Sequence, residues 1–336
     1  MKLSNAQIKE LITGAVDFDE SDGKISPLRF TEAQRNVYLS NEDFYTKSHS
    51  AAGIKMRFRT DATSLFMDVS FLRGSSRKYY SFDVYSNGKQ IGCLDNFSEM
   101  EIPKDYAKID CLLNDASKTF ELGEGIKEVC ILFPWSVAVQ ISEITLENAT
   151  FIEAVKREKT LLVYGDSITQ GYDALRPSGR YMTKITDFFG FDEVSKAIGG
   201  EIFNPNLAKE KDNFTPDLIY VSYGSNDWNK CTYDEFKSNC MGFFENLRNN
   251  YPTLKIIAAT PIWRKEIGEE RPFGDFKGVE EYIRYVASQI DNIEVISGFN
   301  LVPHNEDYFA DLRLHPSDAG FDIYFENLKE LIKHRI

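Results

Sequence analysis

The spacing of apolar residues changes its period partway along the chain, and that change divides the molecule before any motif is read. From about residue 28 to 150 the period is two. Ile54, Met56 and Phe58 alternate with Lys55, Arg57 and Arg59, and Leu65, Met67, Val69 and Phe71 resume the pattern after a break. Tyr80, Phe82 and Val84 repeat it and run into Asn87-Gly88, a strong short hairpin signal. Thr119–Leu122, Val129–Phe133 and Val137–Leu146 are further candidate strands. Many short half-buried strands with turns between them predict an all-β sandwich, of the jelly-roll kind. A short helix using Ile8, Leu11 and Ile12 is expected ahead of it.

Past residue 155 short apolar runs alternate with helical periods instead. The runs are Leu161–Tyr164, Leu218–Tyr223, Ile256–Ala259 and Ile293–Ile296, with a weaker one at Glu193–Ile198. Thr232 and Glu235 form a capping box, opening a helix whose apolar face is Phe236, Cys240, Phe243, Phe244 and Leu247. A last helix starts at Ser317 and uses Phe321, Tyr324, Leu328 and Leu331. This alternation predicts a parallel sheet with helices on both faces, whose functional site lies at the carboxyl ends of the strands. The charged stretch Lys156–Lys159 is the expected linker, giving domains 1–155 and 156–336. A length of 336 residues suits two such units.

Charge and cysteine usage narrow the partners. The 52 acidic residues exceed the 39 basic ones, for a net charge of −13, which disfavours nucleic acid because phosphate binding draws on basic side chains. The opening residues lack the apolar core of a signal peptide, and no apolar run approaches the ~18 residues of a membrane span. Cys93, Cys111, Cys130, Cys231 and Cys240 are odd in number and scattered, without metal-ligand or disulfide spacing. The expectation is a cytoplasmic protein with reduced thiols and no membrane partner. No P-loop or dinucleotide fingerprint is present, so no cofactor and no metal are expected.

Four short blocks carry the chemistry, each near the end of a predicted strand. The first is Gly165-Asp166-Ser167-Ile168-Thr169-Gln170-Gly171, a serine presented at a strand-to-helix turn. It is not a GxSxG elbow, because Thr169 stands where the second glycine belongs; taken alone, such a serine reads equally as a helix N-cap. Gly199-Gly200-Glu201 offers an unobstructed backbone N–H, and Gly224-Ser225-Asn226-Asp227 places an amide side chain just after the third predicted strand. Asp311-Leu312-Arg313-Leu314-His315 sets a carboxylate four residues ahead of a histidine. Together these are the parts of acyl transfer: a hydroxyl nucleophile, a base, an acid that orients the base, and fixed donors for an oxyanion.

In these blocks, over about residues 158–336, the sequence resembles the SGNH/GDSL hydrolases, named for Ser, Gly, Asn and His. The resemblance implies an α/β, flavodoxin-like domain with a five-stranded parallel sheet. It implies Ser167 as nucleophile, His315 as general base and Asp311 as the orienting acid. The oxyanion hole would be the Ser167 N–H, the Gly200 N–H and the Asn226 amide. Two departures leave alternatives open. The family spaces its acid as Asp-x-x-His, whereas Asp311 lies one residue further away, so that either a loop absorbs the extra residue or a backbone carbonyl holds His315. Gly199 is the alternative donor to Gly200, which is favoured because an acidic residue follows it.

A β-sandwich ahead of such a domain resembles family-2 carbohydrate esterases. That implies removal of acetyl or other small acyl groups from a carbohydrate or oligosaccharide ester. Trp228, Trp263 and Arg264 follow strands at the expected cleft and are candidate substrate contacts or rim packing in equal measure; His304 follows the fifth strand. Tyr79, Tyr80 and Trp135 read as core or interface residues. The rival activities are lipid or thioester hydrolysis and, outside catalysis, carbohydrate binding by a silent hydrolase domain.

Overall fold

The computed structural model describes residues 1–336. Eleven strands precede residue 155: β1 (Ile12–Thr13), β2 (Asp17–Ser21), β3 (Lys24–Leu28), β4 (Lys55–Thr60), β5 (Ser64–Arg73), β6 (Ser81–Ser86), β7 (Lys89–Asp95), β8 (Ala116–Glu121), β9 (Lys127–Leu132), β10 (Val137–Glu147) and β11 (Ile152–Ala154). They form two antiparallel sheets. One is ordered β1-β4-β9-β6-β7, with β11 sharing the β1 edge of β4, and the other is β2-β3-β10-β5-β8. The alternating residues anticipated as inward-facing, from Met56 and Phe58 to Ile141 and Ile144, fill one core between the sheets. Asn87 and Gly88 take the positive φ values, 49° and 76°, that a two-residue hairpin between β6 and β7 requires.

Helix α1 (Asn5–Leu11) is closed by a Ser4/Gln7 capping box. Ile12, anticipated in that helix, instead begins β1 and pairs with Met56. Two short helices, α2 (Glu32–Asn36) and α3 (Glu42–Ser48), follow β3.

The third sheet is parallel: β12 (Lys159–Gly165), β13 (Phe191–Ser195), β14 (Leu218–Ser222), β15 (Ile256–Ala259) and β16 (Ile293–Ile296), ordered β13-β12-β14-β15-β16. This is the doubly wound order in which the chain reverses direction beside the first strand, leaving a crevice at the strands' carboxyl ends. Its helices are α4 (Ser167–Gln170), α5 (Tyr181–Phe189), α6 (Pro205–Lys209), α7 (Ser225–Lys230), α8 (Tyr233–Asn250), α9 (Lys277–Gln289) and α10 (Asp318–Ile332). The Thr232/Glu235 capping box opens α8, and its five anticipated apolar residues are all buried. Ser317 caps α10, but Leu331 is 43% exposed and Ile332 takes its place in the core.

The boundary between the two parts is more heavily built than a linker. Lys55 and Arg57, the polar alternates of β4, are 1% and 2% exposed. The face they occupy meets the C-terminal half, where Lys55 pairs with Asp187 at 2.5 Å and Arg57 with Asp192 at 3.2 Å. Phe30 and Tyr38, early in the chain, pack into the core on one side of the parallel sheet. Arg29 is wholly buried and donates to the carbonyls of Lys47, Ser50, Ser195 and Ala197. Even the charged stretch is pinned: Arg157 N–H donates to Asp192, and β12 begins at Lys159. A buried guanidinium with all its partners in place orders both parts, because removing either side leaves polar groups unsatisfied. No helix is long and apolar enough to cross a membrane.

Candidate active site

Strand β12 delivers Ser167 to the crevice. Gly165 ends the strand, and a side chain there would lie 2.5 Å from Thr169 Oγ1, so only glycine lets α4 fold back so tightly. Asp166, not Ser167, is the helix cap, its carboxylate accepting the Ile168 N–H at 3.0 Å. Ser167 is the first residue of α4, where a backbone N–H has no partner within the helix. Its side chain is free of capping duty. The hydroxyl lies 2.8 Å from His315 Nε2.

His315 stands just ahead of α10, and Asp311 Oδ2 lies 2.8 Å from its Nδ1. The longer Asp–His spacing is absorbed by a tight turn. Leu312 takes φ 57°, and Asp311 Oδ1 accepts the N–H groups of Arg313, Leu314 and His315 at 3.0, 2.7 and 3.0 Å. Burial would raise the Asp311 pKa, but His315 and those N–H groups outweigh it and hold the carboxyl well below its ordinary range.

The glycine block separates its two residues by use. Gly199 donates its N–H to Gln170 Oε1 at 2.7 Å, whereas Gly200, at φ 89°, makes no backbone donation within the protein. Lys47 and Lys230 hold the carbonyls of Gly199 and Gly200. Asn226 projects from α7, with Nδ2 3.0 Å from the Glu201 carbonyl and 3.5 Å from Asp166 Oδ2. Its amide therefore lies between the residue before Ser167 and the residue after Gly200.

Three buried carboxyls belong to these blocks, and burial pushes each up: Asp166 to about 6, Glu201 to about 7 and Asp227 to about 7. Glu201 Oε2 and Asp227 Oδ2 have no hydrogen-bond partner. Raised this far, the carboxyls of Glu201 and Asp227 hold a proton well above the ordinary carboxylate range, which lessens the negative charge beside the Asn226 amide.

Two candidate substrate contacts are corrected. Trp228 is fully buried: its indole N–H donates to the Gly274 carbonyl, and its ring packs against Phe276. Arg264, 2% exposed, pairs with Glu266, donates to Ser225 and lies over the Trp228 ring. Both pack around α7, the helix that carries Asn226, and present no free face to a sugar. Trp263 is half-buried between His304 and Phe309. A cavity of about 610 Å³ opens on the sandwich beside Tyr45, His49 and Leu72 and contains neither Ser167 nor His315.

One group in contact with the imidazole went unread in the sequence. Asp173, fully buried at φ 68°, places Oδ2 3.3 Å from His315 Nδ1. It stands six residues after Ser167 in an otherwise unremarked stretch, and its partner Arg77 is 96 residues away in another domain; no local pattern joins them. Asp173, Asp311 and His315 have ligand-type atoms within 4.8 Å of one another. The Arg77 guanidinium already takes both oxygens of Asp173, and a second cation beside it would be repelled. The cluster fits a shared proton better than a metal ion.

Residues 163–323 match the model of the GDSL-like lipase/acylhydrolase family. The sequence has no significant match among curated proteins. Among solved structures, the fold is similar to the salicylyl-acyltransferase SsfX3 from a tetracycline biosynthetic pathway, at TM-score 0.78 and 19% identity, covering 96% of this chain and 94% of that one. It is also similar to a family two carbohydrate esterase from Clostridium thermocellum in complex with cellohexaose, at TM-score 0.67 and 13% identity over 96% and 98% of the two chains. An acetyl xylan esterase, Est2A, from the rumen bacterium Butyrivibrio proteoclasticus gives TM-score 0.65 and 14% identity over 100% and 98%. The likeness spans the sandwich as well as the parallel sheet. Residues 163–323 are thus similar to the GDSL-like lipase/acylhydrolase family and are set behind an N-terminal β-sandwich.

Proposed function

We propose that the protein is a serine esterase that removes small acyl groups, acetyl foremost, from carbohydrate esters. The observation that carries this reading is the 2.8 Å approach of His315 Nε2 to the Ser167 hydroxyl. The neutral imidazole takes the Ser167 proton as the oxygen attacks the ester carbonyl. The Ser167 and Gly200 N–H groups and the Asn226 amide stabilise the resulting oxyanion. The imidazolium, steadied by Asp311, then protonates the leaving alcohol, and water attacks the acyl-serine by the same route in reverse.

The substrate class rests on two supports. Carbohydrate esterases share this two-part arrangement over nearly the whole chain. Ser167 and His315 are only 5% and 9% exposed; a narrow approach suits an acetyl group better than a long acyl chain. Acetate release from acetylated oligosaccharides, set beside p-nitrophenyl esters of increasing chain length, tests the proposal. A fall in rate beyond short acyl chains together with release from the sugars is the expected result. Preference for long chains would favour lipid esters, and retained glycan binding without turnover would favour a silent binding protein. An alcohol acceptor belongs in the assay, because one similar fold is that of an acyltransferase.

A further inference from the structure

The N-terminal sandwich reaches Asp173 through two side chains, Arg77 and Tyr79. Arg77 lies in the turn between β5 and β6. It grips Asp173 at two points, Nε to Oδ1 at 2.6 Å and Nη2 to Oδ2 at 2.9 Å. Tyr79, from the same turn, donates its hydroxyl to Asp173 Oδ1 at 3.2 Å. Asp173 in turn faces the imidazole nitrogen that Asp311 also faces, at 3.3 Å against 2.8 Å. Tyr172 stacks on the imidazole at 5.3 Å, packs against Trp135 of the sandwich, and accepts the Ser76 N–H.

The geometry points to Asp173, held by Arg77, as a second positioning acid for His315, so that the sandwich completes the acyl-transfer centre rather than standing beside it. This rests on the esterase reading above. A fork-shaped guanidinium fixes a carboxylate in plane as well as in place. A buried carboxylate left alone would tend to take up a proton. Burial does raise the Asp173 pKa, but His315 and Arg77 outweigh it and hold the carboxyl below its ordinary value. It therefore stays an anion, able to hold Nδ1–H and stabilise the imidazolium.

The groups that face His315 are Ser167, Asp173, Asp311 and the Tyr172 ring, with Arg77 behind Asp173 and Asp166 beyond Ser167. Burial lowers the imidazole pKa, yet the two carboxylates outweigh it and raise it to about 9. Since the base must be neutral to accept the Ser167 proton, activity should rise with pH through that value.

The experiment is the pH profile of kcat on p-nitrophenyl acetate for wild type, Asp173→Asn, Arg77→Lys and Ser167→Ala. Loss of one carboxylate at this range should lower the limb by about 1 pH unit or more and reduce kcat about tenfold or more, leaving activity above that of Ser167→Ala. Arg77→Lys keeps the charge but not the two-point grip; kcat should fall with KM and the limb unmoved, and this variant decides if Asp173→Asn does not fold. A limb and kcat equal to wild type in Asp173→Asn, or an unchanged kcat in Arg77→Lys, would overturn the inference. Wild-type activity in Ser167→Ala would instead sink the esterase reading itself.

Discussion

Asp227, beside the amide-bearing Asn226, offers a quantitative handle on the electrostatics of the site. It is fully buried; Oδ1 accepts the Phe203 N–H at 3.0 Å, and Oδ2 has no partner. Burial foremost, with the neighbouring carboxyls of Asp166 and Glu201 adding to it, raises its pKa to about 7. In the unfolded chain it titrates near 4. Between these values the folded protein holds a proton that the unfolded chain has released, so stability falls as pH rises through the interval. The benefit of the protonated form is fully present below about pH 4 and lost above about pH 7. At ~1.4 kcal/mol per pH unit, the interval corresponds to roughly 4 kcal/mol as a ceiling. Asp227→Asn keeps the acceptor for Phe203 and removes the charge, so it should stabilise the protein at pH 8 by a few kcal/mol more than at pH 5. Equilibrium urea unfolding of both proteins at the two pH values reads the difference directly. A mutational free-energy change that is the same at pH 5 and pH 8 would refute the claim that burial raises the Asp227 pKa.

Three further outcomes follow from contacts in and around the site. Asn226→Ala should lower kcat by about 10²–10³ with little change in KM, because the amide is assigned to an oxyanion present only in the transition state; steady-state kinetics on p-nitrophenyl acetate checks it. Gly199→Ala would place a methyl group 2.6 Å from the Tyr172 ring. It should destabilise by about 1–3 kcal/mol and lower kcat through the ring stacked on His315, although the Gly199 N–H is not assigned to the oxyanion. Arg29→Met leaves four carbonyls of the inter-domain contact without their donor, and urea unfolding should show a loss of about 3 kcal/mol or more.

The parts of the fold governed by local periodicity were legible in the sequence. The capping box at Thr232 and the alternation through Met56 and Phe58 depend on near neighbours, and they place α8 and β4 correctly. The four blocks could be gathered into one site because doubly wound sheets bring strand ends together. What escaped the sequence depends on contacts between distant segments. The buried state of Lys55 and Arg57 follows from docking of the second half, which an alternating pattern does not reveal. Trp228 and Arg264 follow strands as cleft residues do, but they satisfy one another and the surrounding loops instead. The extra residue between Asp311 and His315 fits because Leu312 takes a left-handed conformation, for which a leucine gives no signal.

The most direct test of the central claim is covalent trapping of the nucleophile. After treatment with an alkyl fluorophosphonate, intact-mass spectrometry and peptide mapping should find one adduct, on Ser167. That adduct should be absent in Ser167→Ala and strongly slowed in His315→Ala. A protein that remains unmodified, or that is labelled equally in Ser167→Ala, would contradict the account.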